Sequence, residues 1–148
     1  MTIVVQRVSR AAVRVSGVEV GAIDAGLLLL VAVEKGDDAA VLDWCSDKVL
    51  QMRIFADSAG KMNLSVLDTG GGILAVSQFT LAADLSRGRR PGFENAASPE
   101  IAEPLFTAFV DRLARSGLRV ATGRFRAFMD VDLINDGPVT FVIRKPAR

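Results

Sequence analysis

The chain has 148 residues, half of them hydrophobic and 24% charged, with 18 basic against 17 acidic side chains. That length fits one domain, 1–148, with one proper core, and a formal charge of +1 excludes a polycationic surface that holds nucleic acid indiscriminately. The absence of histidine removes Ser-His-Asp and Cys-His catalysis and most zinc sites, and the single Cys45 excludes an internal disulfide and a cysteine-rich metal site, so no metal and no cofactor is expected.

The first third reads as β-structure. Ile3 to Val8 and Ala12 to Val15 have strand character, and Ser16-Gly17 turns the chain back into Val18-Glu19-Val20 as a hairpin. Leu27 to Val33 is a continuous apolar run, the pattern of a central strand buried on both faces. Asp37 and Asp38 offer caps for a helix of about fifteen residues whose inward face carries Val41, Leu42, Cys45, Val49 and Met52. The sequon at Asn63 has no secretory signal to make it meaningful, and Gly70-Gly71-Gly72 lacks the lysine-serine/threonine pair of a phosphate loop; it reads as a turn feeding a strand from Ile73 to Phe79.

Ser98-Pro99-Glu100 opens a second helix, with Ile101, Leu105, Phe109 and Leu113 recurring every four residues and Pro104 expected to kink or restart it. Strands are predicted near Arg119 to Thr122 and Val131 to Leu133. In Asn135 to Ile143, a glycine–proline pair stands at the head of an apparent core strand, where proline has no N–H for a ladder. Asn-Asp-Gly-Pro is common turn chemistry, and a turn is the simplest reading. The pattern predicts a single α+β domain, a mostly antiparallel sheet or partial β-barrel with two principal helices. A mean hydropathy of +0.32 is apolar for so small a domain, which assigns part of the surface to an interface. No run approaches a membrane span of about eighteen residues, and MTIVVQRVSR lacks the order of a signal peptide, so a cytoplasmic location is expected.

Two stretches carry candidate chemistry. Ser77-Gln78-Phe79-Thr80-Leu81 crowds hydroxyl, amide and aromatic groups where apolar alternation fails; it is either an ordinary strand end or a site whose backbone N–H groups form an oxyanion hole. Arg87-Gly88-Arg89-Arg90-Pro91 is the densest positive charge, either a solvated loop or a phosphate-binding track that Arg7, Arg10 and Arg14 extend.

Ser77-Gln78-Phe79-Thr80-Leu81 and Asn135-Asp136-Gly137-Pro138-Val139-Thr140 resemble, in order and spacing, the two signature motifs of the D-aminoacyl-tRNA deacylases. Gln6-Arg7-Val8, Arg53-Ile54-Phe55, Gly60-Lys61-Met62-Asn63, Gly88-Arg89-Arg90-Pro91 and Thr122-Gly123-Arg124-Phe125 extend the resemblance along the whole chain. Arg126, Phe128, Gly92 and Val142 depart from the family pattern without touching either signature motif; they bear on the adenine pocket, the loops and substrate preference.

The resemblance implies a homodimer that hydrolyses the ester between a D-amino acid, or glycine, and the terminal ribose of tRNA, with active sites at the subunit interface. It implies catalytic roles for Gln78, Phe79 and Thr80, substrate contacts by Ser77, Gly137, Pro138, Met129 and Phe125, and tRNA contacts by Arg7, Arg87, Arg89 and Arg90. It further implies a cis Gly137-Pro138 peptide that reaches into the partner's site, its two carbonyls taking the substrate ammonium while its bulk fills the space of an L side chain. An aminoacyl ester is already activated and needs positioning and oxyanion stabilisation more than a strong nucleophile. Direct attack by Thr80 and proton transfer through the ribose 2′-hydroxyl both remain open, the latter preferred because no base adjoins Thr80. The rival readings are a tRNA-binding module without catalysis and an esterase for small acyl compounds.

Overall fold

β1 (Thr2–Val15) is one strand of 14 residues, so the two N-terminal strand segments of the sequence reading are continuous. A non-glycine turn residue with positive φ, Ser16, and Gly17 return the chain into β2 (Val18–Ile23), the expected hairpin. The first half of β1 pairs antiparallel with β3 (Gly26–Ala32) and its second half with β2, while β8 (Asp130–Arg144) runs antiparallel along most of its length on the other edge. β3 pairs parallel with β6 (Gly72–Ser77), and β6 parallel with β7 (Val120–Thr122). The sheet is therefore mixed, with two parallel pairs beside the antiparallel ones. β7 comes round to β2, where Arg119 Nη2 donates to Ala22 O at 3.0 Å, so the sheet nearly closes into a barrel. Gly21 permits that closure, since a Cβ there would stand 2.3 Å from Thr122 O. The computed structural model describes residues 1–86 and 88–147.

α1 (Ala39–Gln51) starts at Asp38, whose carboxylate accepts from Val41 N at 3.0 Å. It buries Val41, Leu42, Cys45 and Val49, as its spacing requires. β4 (Phe55–Ala56) and β5 (Met62–Leu64) form a small separate hairpin, followed by α2 (Val66–Thr69), a single turn closed by a reciprocal Ser65–Asp68 capping box. Gly70 terminates α2 in the left-handed conformation, and the glycine run feeds β6 as expected.

α3 (Pro99–Ala114) runs without interruption through Pro104. Its buried stripe is Ala102, Phe106, Phe109 and Leu113, whereas Ile101 is exposed. A strict spacing of four drifts around a helix of 3.6 residues per turn, which is why the first member of the expected stripe leaves the core. The helices α1 and α3 cover one face of the sheet, burying Leu27, Leu29 and Val31 of β3 with Ile73 and Ala75 of β6. Leu28, Leu74 and Val76 point the other way into a second cluster enclosed by the curl of the sheet, with Val13 and Ile23. Burial on both faces explains the unbroken apolar run at the centre of the sequence.

Candidate active site

β6 ends at Ser77, and Gln78 N still donates to Val31 O at 2.7 Å, so the strand carries its polar residues to the sheet's C-terminal end before the chain turns. The next residues, Phe79–Ala82, form a 3-10 turn, not the last residues of a strand as the sequence pattern suggested. The first N–H groups of such a turn, those of Phe79 and Thr80, have no partner within it. Gln78 Nε2 donates to Thr80 Oγ1 at 2.5 Å, which orients the amide and leaves its carbonyl oxygen free of that contact.

A cavity of about 780 Å³ opens beside this turn. Ser77, Gln78 and Phe79 form one wall, Val31 and Val76 the sheet side, Ala102 and Phe106 the α3 side, and the segment from Phe125 to Met129 the remaining rim. Phe79 stacks tilted on Phe93 with centroids 5.0 Å apart, and Phe125 faces Phe106 at 6.2 Å. The polar lining consists of Ser77, Gln78, Ser98 and Arg126; among the described residues no carboxylate, thiol or imidazole lines the cavity. Next in the chain to the lining residue Pro99, the Glu100 carboxyl is held below its ordinary value by its own backbone N–H and the Ser98 hydroxyl, with the Arg126 guanidinium adding to the effect.

Ser77, Gln78, Phe79, Phe125 and Met129 thus share one cavity, with Thr80 tied to it through Gln78. Gly137 and Pro138 do not line that cavity. The turn expected at the head of a strand is instead a bulge inside the 15-residue β8: Gln6 pairs with Thr140 and Val8 with Asn135, so Asp136 to Val139 stand opposite Arg7 alone. The Gly137-Pro138 peptide is cis. Both residues are exposed, while Val139 turns inward and is buried. Asn135 Nδ2 ties the base of the bulge by donating to Arg7 O at 2.9 Å and Val139 O at 3.1 Å.

Arg7, expected on a phosphate track, lies largely inside the chain. Its Nη1 donates to Ile54 O at 2.6 Å, and its Nε stands 2.9 Å from Asp136 Oδ2 as an ion pair without hydrogen-bond alignment. Arg10 pairs with Asp132 at 3.1 Å, and Arg14 lies 3.8 Å from both Glu19 and Asp132, so neither is a bare cation on the first strand. Arg89 and Arg90 are exposed in a segment closed by paired backbone bonds between Asp84 and Gly92 of 2.8 and 2.9 Å. The Asp84 carboxyl, accepting from Ser86 N–H, is held below its ordinary value. Arg87 lies outside the described residues.

The sequence model of the D-Tyr-tRNA(Tyr) deacylases matches residues 4–144. A D-aminoacyl-tRNA deacylase of Geotalea uraniireducens is 53% identical over 146 residues, 99% of this chain and 94% of the relative. That of Symbiobacterium thermophilum is 56% identical over 140 residues, covering 95% and 93%. The chain belongs to the D-Tyr-tRNA(Tyr) deacylase family. Membership makes it a hydrolase. Among solved structures, a c-Myc DNA Unwinding Element Binding Protein superposes with a TM-score of 0.93 at 39% identity, covering 99% of this chain and all of the other. A probable eukaryotic D-amino acid tRNA deacylase shares the fold with a TM-score of 0.82 at 18% identity, covering 97% of this chain and all of the other.

Sequence reasoning missed the far wall of this cavity. Phe93 and the start of α3 at Ser98 and Pro99 line the cavity, yet their only sequence signals are an aromatic in a polar loop and a helix cap. Among the departures from the family pattern, Arg126 adopts a positive φ of 61°, and Phe128 and Val142 are exposed. Gly92 takes part in the bridge to Asp84. No helix among the described residues is long and apolar enough to cross a membrane.

Proposed function

We propose that this chain hydrolyses the ester joining a D-amino acid, or glycine, to the 3′-terminal ribose of tRNA, and that it does so in the cytoplasm with the substrate's RNA as part of the catalyst. The observation that carries the reading is the cavity beside Gln78: it presents hydroxyls, an amide and a turn's leading N–H groups, with no ionisable base among its described lining residues. Such a site orients and polarises; it does not generate a nucleophile.

In this reading the terminal nucleoside enters between Phe125 and Met129, and the ester carbonyl lies against Gln78 and the N–H groups of Phe79 and Thr80. Water adds to the carbonyl carbon while passing a proton to the vicinal ribose hydroxyl, and the oxyanion is stabilised by Gln78 and the N–H groups. The carbon–oxygen bond to the ribose then breaks, the departing ribose oxygen takes a proton relayed through the vicinal hydroxyl, and free amino acid and tRNA leave. The activated ester makes orientation and charge stabilisation sufficient.

Chirality is read by backbone. The exposed Gly137-Pro138 bulge is not part of its own cavity's lining, which fits a role in the site of a second copy, and β8 also exposes Ile134, Phe141 and Val142 as apolar surface for that copy. Backbone carbonyls suit a filter that must ignore side-chain identity. Arg89 and Arg90 serve tRNA phosphates, and Arg7 with Asp136 steadies the bulge.

The test is multiple-turnover deacylation of D-aminoacyl-tRNA, with the L-aminoacyl form as control and sedimentation of the same sample. Many turnovers selective for the D form, from a species of twice the chain mass, are expected. Binding without turnover would replace this reading with that of a tRNA-binding module, and equal rates on aminoacyl esters lacking RNA would make the chain a general esterase. In Gly137→Ala a Cβ would stand 3.3 Å from Asn135 Oδ1, a contact relieved by a small shift. That variant should fold and dimerise yet lose D-aminoacyl-tRNA hydrolysis, because the methyl enters the space where backbone meets substrate.

A further inference from the structure

Phe128 is the most exposed large apolar residue among those described, at 99% of its free surface, and it stands on the rim of the candidate cavity. Its neighbours in the chain explain how it is held there. Arg124 O accepts from Ala127 N at 3.2 Å, closing a turn, and Arg126 takes the left-handed conformation within that turn. The turn sends Phe125 inward against Phe106 and Phe128 outward, and both Arg124 and Arg126 are exposed beside it.

We propose that Phe128 is a stacking platform for the nucleobase next to the terminal one, with Arg124 and Arg126 meeting the phosphates on either side of that nucleotide. The inference rests on the deacylase reading above. A cavity of about 780 Å³ has room for one aminoacylated nucleoside, so the preceding nucleotide of a single-stranded 3′ end must lie on the rim. An exposed aromatic face with two exposed arginines two and four residues before it in the chain offers what such a nucleotide requires: every base has a face to stack, and the backbone it hangs from is anionic. The hydrogen-bonded turn between Arg124 and Ala127 fixes the backbone just before the ring. A protein partner is the less economical occupant, because the two adjoining charges would need acidic matches while the cavity already admits RNA.

The experiment compares D-aminoacyl-tRNA with D-aminoacyl-adenosine, which has no penultimate base, on the parent enzyme, Phe128→Ala and Phe128→Trp. Phe128→Ala should lower the ratio of the two kcat/KM values by roughly fivefold or more, the usual effect of removing a stacking partner, through KM for the tRNA substrate. Phe128→Trp should preserve the ratio. On tRNA with an abasic penultimate position, the parent should lose the same factor and Phe128→Ala nothing further. Equal losses on both substrates would overturn the platform, as would a shift of Phe128→Ala from dimer to monomer in sedimentation, which would assign the ring to the subunit interface. If the parent cleaves neither substrate, the deacylase reading itself falls; if it cleaves both and the ratio is unmoved by Phe128→Ala, only the platform does.

Discussion

Replacing Asn135 with alanine isolates the shape of the β8 bulge from the chemistry of the cavity. The Asn135 amide reaches Arg7 O and Val139 O and thereby fastens both ends of the four residues that bear no ladder partner of their own. Each neutral hydrogen bond contributes about 0.5–1.5 kcal/mol net, and the exposure of Asn135 favours the lower half of that range, giving about 1–2 kcal/mol for the pair. With a urea dependence of about 2 kcal/mol/M for a chain of this size, the unfolding midpoint should fall by about 0.5–1 M. Activity should fall further than this loss of stability explains. Val139 keeps the C-terminal end of the bulge in the core and the Arg7–Asp136 ion pair remains, but the exposed Gly137-Pro138 pair loses the Asn135 tie and, on the proposed reading, samples positions that no longer meet the substrate's ammonium. Deacylation of D-aminoacyl-tRNA, measured well below the unfolding midpoint, should drop by about tenfold or more, as misplacement by an ångström does at other sites. A midpoint shift of the expected size with parental kcat/KM would refute the reasoning, because the bulge would then be free to move without consequence. An unchanged midpoint would show instead that the two bonds are replaced by water at no cost.

Replacing Arg89 and Arg90 together with alanine should weaken tRNA binding and lessen the slope of log affinity against log salt by up to about two, while kcat at saturation changes little; a collapsed kcat with an unchanged slope would place them at the ester. Dialysis against a chelator should leave the rate intact once magnesium effects on tRNA are controlled, since among the described residues no group of three histidine, cysteine or carboxylate side chains is gathered to hold a metal; recovery with one added divalent ion would contradict this. Burial pushes the Cys45 thiol up to about 11, so between about pH 9 and 11 the unfolded chain releases a proton that the folded chain keeps, and stability should decline with rising pH across that window. Cys45→Ala should flatten the decline, and an unaltered slope would count against the buried thiol as its source.

Much of the local structure could be read directly from residue order, because it depends on neighbours in sequence. The Asp38 cap, the inward face of α1, the Ser16-Gly17 hairpin and the doubly buried Leu27 to Val33 run follow from periodicity and turn chemistry, and the two signature motifs identified the family over almost the whole chain. Tertiary structure decided what depends on partners far along the chain. A glycine–proline pair after Asn-Asp reads as a turn in any local window; it became a bulge within one strand because β1 supplies hydrogen bonds to β8 on both sides of it. Arg7 reads as a surface cation until the Ile54 carbonyl and Asp136 carboxylate, 47 and 129 positions away in the chain, close on its guanidinium. The parallel pairing of β3, β6 and β7 was equally hidden, since strand direction is set by how the intervening helices pack and not by any residue within the strands. The cavity, too, exists only where β6, the start of α3 and the Phe125 to Met129 rim converge, three segments that no spacing rule relates.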